Sequence, residues 1–379
     1  MTGWRDTRPA HLDPETRFAA PPDAQVLRRL HDAHCHPCDD VAFSSEAMNS
    51  LHTAKFCVMS SSLTNQYRTK QVVEARPADV IPCFGLHPWY SHPISFAPPK
   101  SVPTKFEHYT ALFPDPNSPT EPHPTLSKLL PYLADPVSIG TFLSQLEADL
   151  EEHASSFVGE VGLDKAFKLP NPPHLALELG SKNSDLSTPI DHQTRVVEAQ
   201  WNLAIRLRKN VSQHCVRSTF ETVELLKRYK RDHPGFESIY VCLHSFGGSA
   251  EAARQIQKNH ANVFFSFSTI ISGRSPNFYK LLKSIEPDRL LLESDFSDTT
   301  RIDEQIWEIF EAVCLSREWT VDQAVEQLES NWNRFTQPAD ERPEPRPRKS
   351  AKQRKREKNK QDLYVSDEDN NDNKANQGV

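Results

Sequence analysis

Two histidines two residues apart, in Asp32-Ala33-His34-Cys35-His36, are the first chemical signal in the chain. Residues i and i+2 of a strand share a face, so His34 and His36 can point at one ion. Imidazole suits zinc and other transition metals. Taken alone, the pair also fits an exposed, histidine-rich loop. A second signal is Gly159-Glu160-Val161-Gly162-Leu163-Asp164. A carboxylate in an otherwise apolar run costs too much to bury unpaired, so a metal or another cation is expected beside Glu160. The two glycines permit close backbone approach or an unusual turn. Three further apolar runs end in ligand-type residues: at His214, at His244 and at Glu293-Ser294-Asp295. Each alone fits a satisfied core histidine or a capping carboxylate. Cys35-His36-Pro37-Cys38 is a CxxC without a second pair or a following histidine, and reads as incidental.

Elements that bring such residues together are legible in the hydrophobic pattern. Short β-rich runs recur near 29–34, 55–60, 80–86, 156–161, 211–215, 238–243, 262–267 and 289–292. Several are near-continuous in apolar residues, as expected of strands buried on both faces. Residues 193–209 place Val196, Val197, Ala199, Trp201, Leu203, Ala204 and Leu207 on one broad helical face. Residues 218–230, 249–259 and 276–284 are further helix candidates, with Ser249 and Pro276 suited to helix starts. A doubly wound open sheet would give a similar string. A (β/α)8 TIM barrel is favoured because ligand-type residues end five of the runs, and barrel strand ends converge on one face where active sites sit. His34, His36, Glu160, His214, His244 and Asp295 are then one site.

Composition bounds the rest. Hydrophobic residues make up 37% of the chain and there are 30 prolines, so part of it is expected to be loop or disordered. Stretches 91–125 and 168–189 read as long insertions after the third and fourth strands, either functional or disordered. The expected division is an N-terminal extension at 1–27, a barrel at 28–337 and a disordered, charged tail at 338–379. Residues 342–360 carry ten Lys or Arg against two Glu, whereas the first 341 residues carry a net −11. The basic cluster reads either as nuclear-localisation-like or as a solvated charged tail. An acidic body does not trap nucleic acid by itself, so bound metal would have to supply local positive charge. This also leaves open a metallohydrolase of another small ester or amide. Seven cysteines without a framework fit a reducing compartment. Residues 1–22 show no apolar signal region, and no run approaches a membrane span, so nucleus or cytoplasm and no membrane are expected.

The set DAHCH, GLHPW, GEVGLD, HCVR, LHSF and LLLESD resembles the TatD deoxyribonuclease family of metal-dependent hydrolases. The motifs run in the family's order through roughly 28–335, and Asn331-Trp332-Asn333-Arg334-Phe335 is similar to its closing helix. The resemblance implies a TIM-barrel phosphodiesterase that cleaves DNA with two divalent ions, Mg2+, Mn2+ or Zn2+. It implies that His34 and His36 hold one ion and that His214 and His244 hold the other. Glu160 would bridge them, and Asp295 would ligate the first and orient the attacking water. His87, in Gly85-Leu86-His87-Pro88-Trp89, resembles a position near the substrate. Arg217 is a candidate phosphate clamp. Trp89 or Tyr90 is a candidate base-stacking surface, with loop packing the competing role for Trp89. Asp164 is expected to orient a ligand histidine. The chain departs from the family in Phe296-Ser297-Asp298 after Asp295, in one extra residue between His214 and Arg217, and in Ser245 after His244. The insertions and tail resemble a fungal branch of the family, which implies a TPR-repeat subunit of the anaphase-promoting complex as a partner.

Overall fold

The eight apolar runs form eight strands: β1 His31–Cys35, β2 Lys55–Met59, β3 Val80–Phe84, β4 Phe157–Asp164, β5 Val211–Val216, β6 Val241–Leu243, β7 Val263–Phe267 and β8 Leu290–Leu292. The structure is a computed structural model that describes residues 22–342. Each strand pairs in parallel with the next, from β1 through β8. The ring closes where Asp295 N donates to His34 O at 2.9 Å and His36 N donates to Phe296 O at 2.9 Å. The architecture is a (β/α)8 TIM barrel, as the pattern of runs implied. The sixth run begins later than expected, at Val241, because residues Pro234–Ser238 form a 3-10 turn.

Strand parity divides the core. Phe56, Val58, Val241, Leu243, Val263, Phe265, Leu290 and Leu292 join the large apolar cluster that also takes in the helices. The alternate residues Cys57, Met59, Cys242, Phe264 and Leu291 form a separate cluster. Trp332 and Phe335, on the last helix Val321–Thr336, join this second cluster and close one end of the barrel. Following the second parity toward the carboxyl ends leads from Cys242 to His244, from Phe264 to Ser266 and from Leu291 to Glu293. One face of each strand is therefore apolar at the base and polar at the top. All seven cysteines are buried and free.

Helix Ile190–Leu207 buries Val196, Val197, Trp201, Leu203 and Ala204 as its pattern requires. It also buries Gln193 and Gln200, which the apolar pattern did not include. Helix Ala250–Asn259 starts at the expected cap, with Ser249 Oγ accepting from Ala252 N at 3.1 Å. Helix Phe278–Ser284 begins two residues after Pro276, behind Asn277. No helix among the described residues is long and apolar enough to cross a membrane.

The two insertions are neither bare loops nor unstructured. The first, between β3 and helix Ile139–Glu152, holds helix Lys105–Leu112, the hairpin Pro114–Asp115 with Ser118–Pro122, and the paired strands Ile94–Ser95 and Val137–Ser138. It therefore runs past 125, to the start of Ile139–Glu152. The second holds helix Pro173–Leu179. Tyr109, Phe113, Leu126 and Leu129 of the first meet Leu169, Leu175 and Leu186 of the second in a small core of their own. Each segment alone is too Pro-rich and too sparse in apolar residues to show this. Most of the tail, from 343 onward, lies outside the described residues, as does nearly all of the N-terminal extension. The first tail residues belong to the barrel unit: Arg342 donates to Ser238 O at 3.0 Å and Asn210 Oδ1 at 2.9 Å, and covers the Tyr240 ring.

Candidate metal centre

At the carboxyl ends of the strands, the side chains converge on one buried carboxylate. Glu160 Oε2 lies 3.6 Å from His34 Nε2 and 3.4 Å from His36 Nε2. Asp295 Oδ1 lies 3.9 and 3.5 Å from the same two nitrogens, which are 3.1 Å apart. The other oxygen, Glu160 Oε1, lies 2.8 Å from His214 Nδ1 and 2.9 Å from His244 Nε2, themselves 3.2 Å apart. Metal–ligand bonds of about 2.0–2.1 Å put neighbouring donors of one shell roughly 3.0–3.4 Å apart. The first group, at 3.1–3.9 Å, and the second, at 2.8–3.2 Å, lie around that spacing. Bare imidazole nitrogens at such distances repel unless a proton or a cation lies between them. The donor set thus fits divalent cations.

The outer nitrogens of His34, His244 and His214 are also hydrogen-bonded. Ser212 Oγ lies 2.8 Å from His34 Nδ1 and 3.4 Å from His244 Nδ1. One hydroxyl can accept from both rings and leave Nε2 of each facing inward, one in each group. Asp164 Oδ2 lies 3.3 Å from His214 Nε2, leaving Nδ1 inward. Asp39 Oδ2 lies 3.4 Å from His36 Nδ1. His87 differs. Its Nδ1 accepts from Trp89 N at 3.2 Å, which puts the ring proton on Nε2, 3.3 Å from Glu160 Oε1. His87 Nε2 therefore turns its proton toward Glu160, within a grouping of donor atoms from His87, Glu160 and His214.

The helices and glycines hold these parts in place. Gln193 accepts from Asp164 N at 2.8 Å and donates to Asp164 O at 2.9 Å. Gln200 does the same for Leu86, beside His87, at 2.8 and 3.2 Å. A Cβ on Gly162 would lie 2.2 Å from His214 O, so only glycine lets β4 approach β5 this closely. Asp295 and Ser245 have φ of 48° and 39°. Such left-handed residues cost about 1–3 kcal/mol each unless their surroundings dictate them. Here Asp295 N bonds to His34 O at 2.9 Å, and Ser245 N to Glu293 Oε1 at 2.7 Å.

The electrostatics follow from burial and neighbours. Burial alone would push the Glu160 carboxyl up, but His87, His244, His34 and the His214 bond hold it well below the usual range. Burial depresses His34 to about 3 and His87 to about 4. His214, though buried, is raised to about 9 by its bonds to Asp164 and Glu160. Asp295 is held low, against its burial, chiefly by His36 and His34. Beneath it, burial and the Asp295 charge push Glu293 well above the ordinary carboxyl value.

All six expected ligands meet at this site, with His87 and Asp164 beside them. Trp89 is 40% exposed, and its ring stacks on Phe167 at 4.9 Å while Nε1 donates to Asp164 Oδ2 at 2.6 Å. Loop packing is thus part of its role, and it still lines the cavity. Arg217 is not brought to the site. It is exposed, at φ 51°, and does not line the cavity of about 810 Å³ above the carboxylates. β5 ends at Val216, and three residues beyond His214 is the wrong parity for the site face. The extra residue between His214 and Arg217 thus carries the arginine away. Sequence reasoning missed Ser212 and gave Glu293 no role of its own within Glu293-Ser294-Asp295, although each lies two residues from a named ligand and so shares its face. It also missed the bond from Ser294 Oγ to Asp32 Oδ2, 2.5 Å, which ties β1 to the end of β8.

A parallel barrel with histidines and carboxylates gathered at its strand ends defines a metal-dependent hydrolase architecture. Residues 31–337 match the family model described as TatD related DNase, and the chain belongs to that family. It is 29% identical over 341 residues to the Cut9-interacting protein scn1 of Schizosaccharomyces pombe, covering 82% of this chain and 99% of the relative. It is 26% identical over 278 residues to an uncharacterized deoxyribonuclease of Saccharomyces cerevisiae, covering 71% of this chain and 84% of that one. The crystal structure of a TatD homologue from Escherichia coli superposes with a TM-score of 0.55 at 19% identity, covering 82% of this chain and 98% of that one. That likeness confirms the fold.

Proposed function

We propose that this chain is a divalent-metal-dependent phosphodiesterase that cleaves DNA through a metal-activated water. The observation that supports this best is that the two oxygens of one buried carboxylate, Glu160, each face a separate donor group. His34, His36 and Asp295 would hold one ion, and His214 and His244 the other, with Glu160 shared. Mg2+, Mn2+ and Zn2+ are the candidates, and four imidazoles favour the transition metals. Paired ions lower the pKa of bound water and stabilise the attacking and leaving oxygens. The chain itself does the rest. Asp295 offers a carboxylate that stays ionised and can orient the water. His87 donates to Glu160 and keeps its charge in place. Asp164 holds His214 and, through Trp89, the cavity wall. The test is cleavage of linear DNA by the full chain after chelation and after metal is restored. Cleavage should return only with metal and fall at least about a hundredfold in Glu160→Gln. Undiminished cleavage by that variant overturns the proposal. Cleavage of a small ester or amide in place of DNA would move the site to another metallohydrolase.

The likeness to the Cut9-interacting protein favours a second role, binding a TPR-repeat subunit of the anaphase-promoting complex in the nucleus or cytoplasm. The insertions expose Leu177, Leu179 and Tyr132, at 86%, 47% and 57%. Co-purification with such a subunit should be lost in Leu177→Glu with Leu179→Glu, and retention would exclude this face.

A further inference from the structure

Four carboxylates line the cavity above the metal-site residues, and two of them, Glu160 and Asp295, are proposed metal ligands. Asp39, Glu160, Asp164 and Asp295 line it, and Lys168 is the sole Lys or Arg among its described lining residues. Lys168 comes from the second insertion, is exposed, and makes no ion pair with any described residue. Lys165, three residues earlier, is committed to Glu221 at 2.7 Å and does not line the cavity.

The position of Lys168 is fixed by its neighbours. On one side, Phe167 stacks on Trp89 at 4.9 Å, and its N–H donates to Asp164 Oδ1 at 3.0 Å. On the other, Leu169 is 1% exposed within the insertions' apolar core. Leu169 N donates to Leu186 O, and Ser184 N to Leu169 O, both at 2.9 Å. This short ladder also places Asn183, which bridges to Pro170 and lines the same cavity. The rim therefore presents one unpaired ammonium and one amide on backbone tied to the site through Asp164.

We propose that Lys168 and Asn183 form a phosphate-binding subsite at the rim, holding a phosphate of the nucleic-acid strand other than the one being cleaved. The inference rests on the phosphodiesterase reading and deepens it. Bound metal would neutralise Glu160 and Asp295, but Asp39 and Asp164 still face the cavity, so a polyanion entering beside them needs a cation at the rim. The metal-site residues account for the reacting phosphate, and Lys168 is the remaining Lys or Arg among the described lining residues. Arg217, which the sequence offered for this work, faces elsewhere.

The test compares two substrates with the metal-loaded full chain. One is a single-stranded DNA oligonucleotide. The other is bis(p-nitrophenyl) phosphate, a phosphodiester with no second phosphate. Lys168→Ala should raise KM for the oligonucleotide about five- to tenfold, and Lys168→Glu more, with a much smaller change on the small diester. The slope of log KM against log salt for the oligonucleotide should fall by about 0.7, as for one lost phosphate contact on a single strand. Asn183→Ala should act in the same direction, and Lys165→Ala should match wild type. Equal losses on both substrates, or an unchanged salt slope, overturn the subsite. Wild-type protein that cleaves the small diester but not the oligonucleotide also overturns it while leaving a hydrolase. Wild-type protein that cleaves neither overturns the phosphodiesterase reading as well.

Discussion

The floor of the cavity and its rim are built by different rules. The floor is set by strand parity. Ser212 and His214 on β5, His244 just past β6, and Glu293 and Asp295 past β8 stand where two-residue alternation and a closed parallel ring put them. The rim is set by two distant segments, 91–138 and 165–189, whose outer parts share a small apolar core, while Ile94 and Phe96 anchor the first segment to the barrel. The floor therefore owes its geometry to the barrel as a whole, and the outer part of the rim owes its geometry largely to seven side chains. Chemistry belongs to the rigid part and selectivity to the separable one.

Four substitutions or conditions probe that division, in descending order of expected effect. Ser212→Ala leaves two imidazole N–H groups on the floor without their acceptor. Metal affinity or cleavage should fall about ten- to hundredfold, as for other outer partners of ligand histidines. Wild-type affinity would show that Ser212 does not orient them. Leu169→Ala removes a buried side chain from the rim's small core, at a cost of about 2–5 kcal/mol. Hydrogen exchange should rise across both insertions while the barrel strands keep their protection. Equal loosening of the strands would mean that rim and floor are one cooperative unit.

Acid should also act on the rim. Burial depresses His92 and His192 from an ordinary 6.5 to about 4, and His108 is lowered for the same reason. Their folded pKa values lie below the unfolded ones, so their contribution is complete above about pH 6.5 and is lost as pH falls toward 4. Limited proteolysis within the first insertion should accelerate over that window, and His92→Asn should flatten the dependence. The smallest effect is expected of Arg217→Ala. A solvent-facing residue outside the cavity should change cleavage less than about twofold. A tenfold loss would return the phosphate clamp to Arg217.

The contrast also explains what could be read from the sequence. All eight strands were visible as apolar runs, because strands buried on both faces leave a continuous signal. The six central site residues were visible because each interrupts or ends such a run with a group too costly to bury alone. Ser212 and Glu293 were within reach of the same alternation, but a serine and a carboxyl beside a more conspicuous ligand give no signal of their own. Gln193 and Gln200 were hidden because helix periodicity scores apolar faces and not the polar residues that clamp a backbone from within one. The insertion core was not legible at all. Tyr109 and Leu169 are sixty residues apart in the chain, and neither segment shows a period. Arg217 was misplaced because its departure from the family spacing changes its parity.

The shared carboxylate is the central claim, and metal stoichiometry tests it most directly. Protein freed of metal by chelation would be titrated with Mn2+ or Zn2+, wild type beside Glu160→Gln, with folding checked by circular dichroism. Wild type should bind about two equivalents with high affinity, the number a two-metal site requires. The variant should lose or weaken both, because each donor group gives up one oxygen of the same residue. Two equivalents bound unchanged by a folded Glu160→Gln protein would contradict the account.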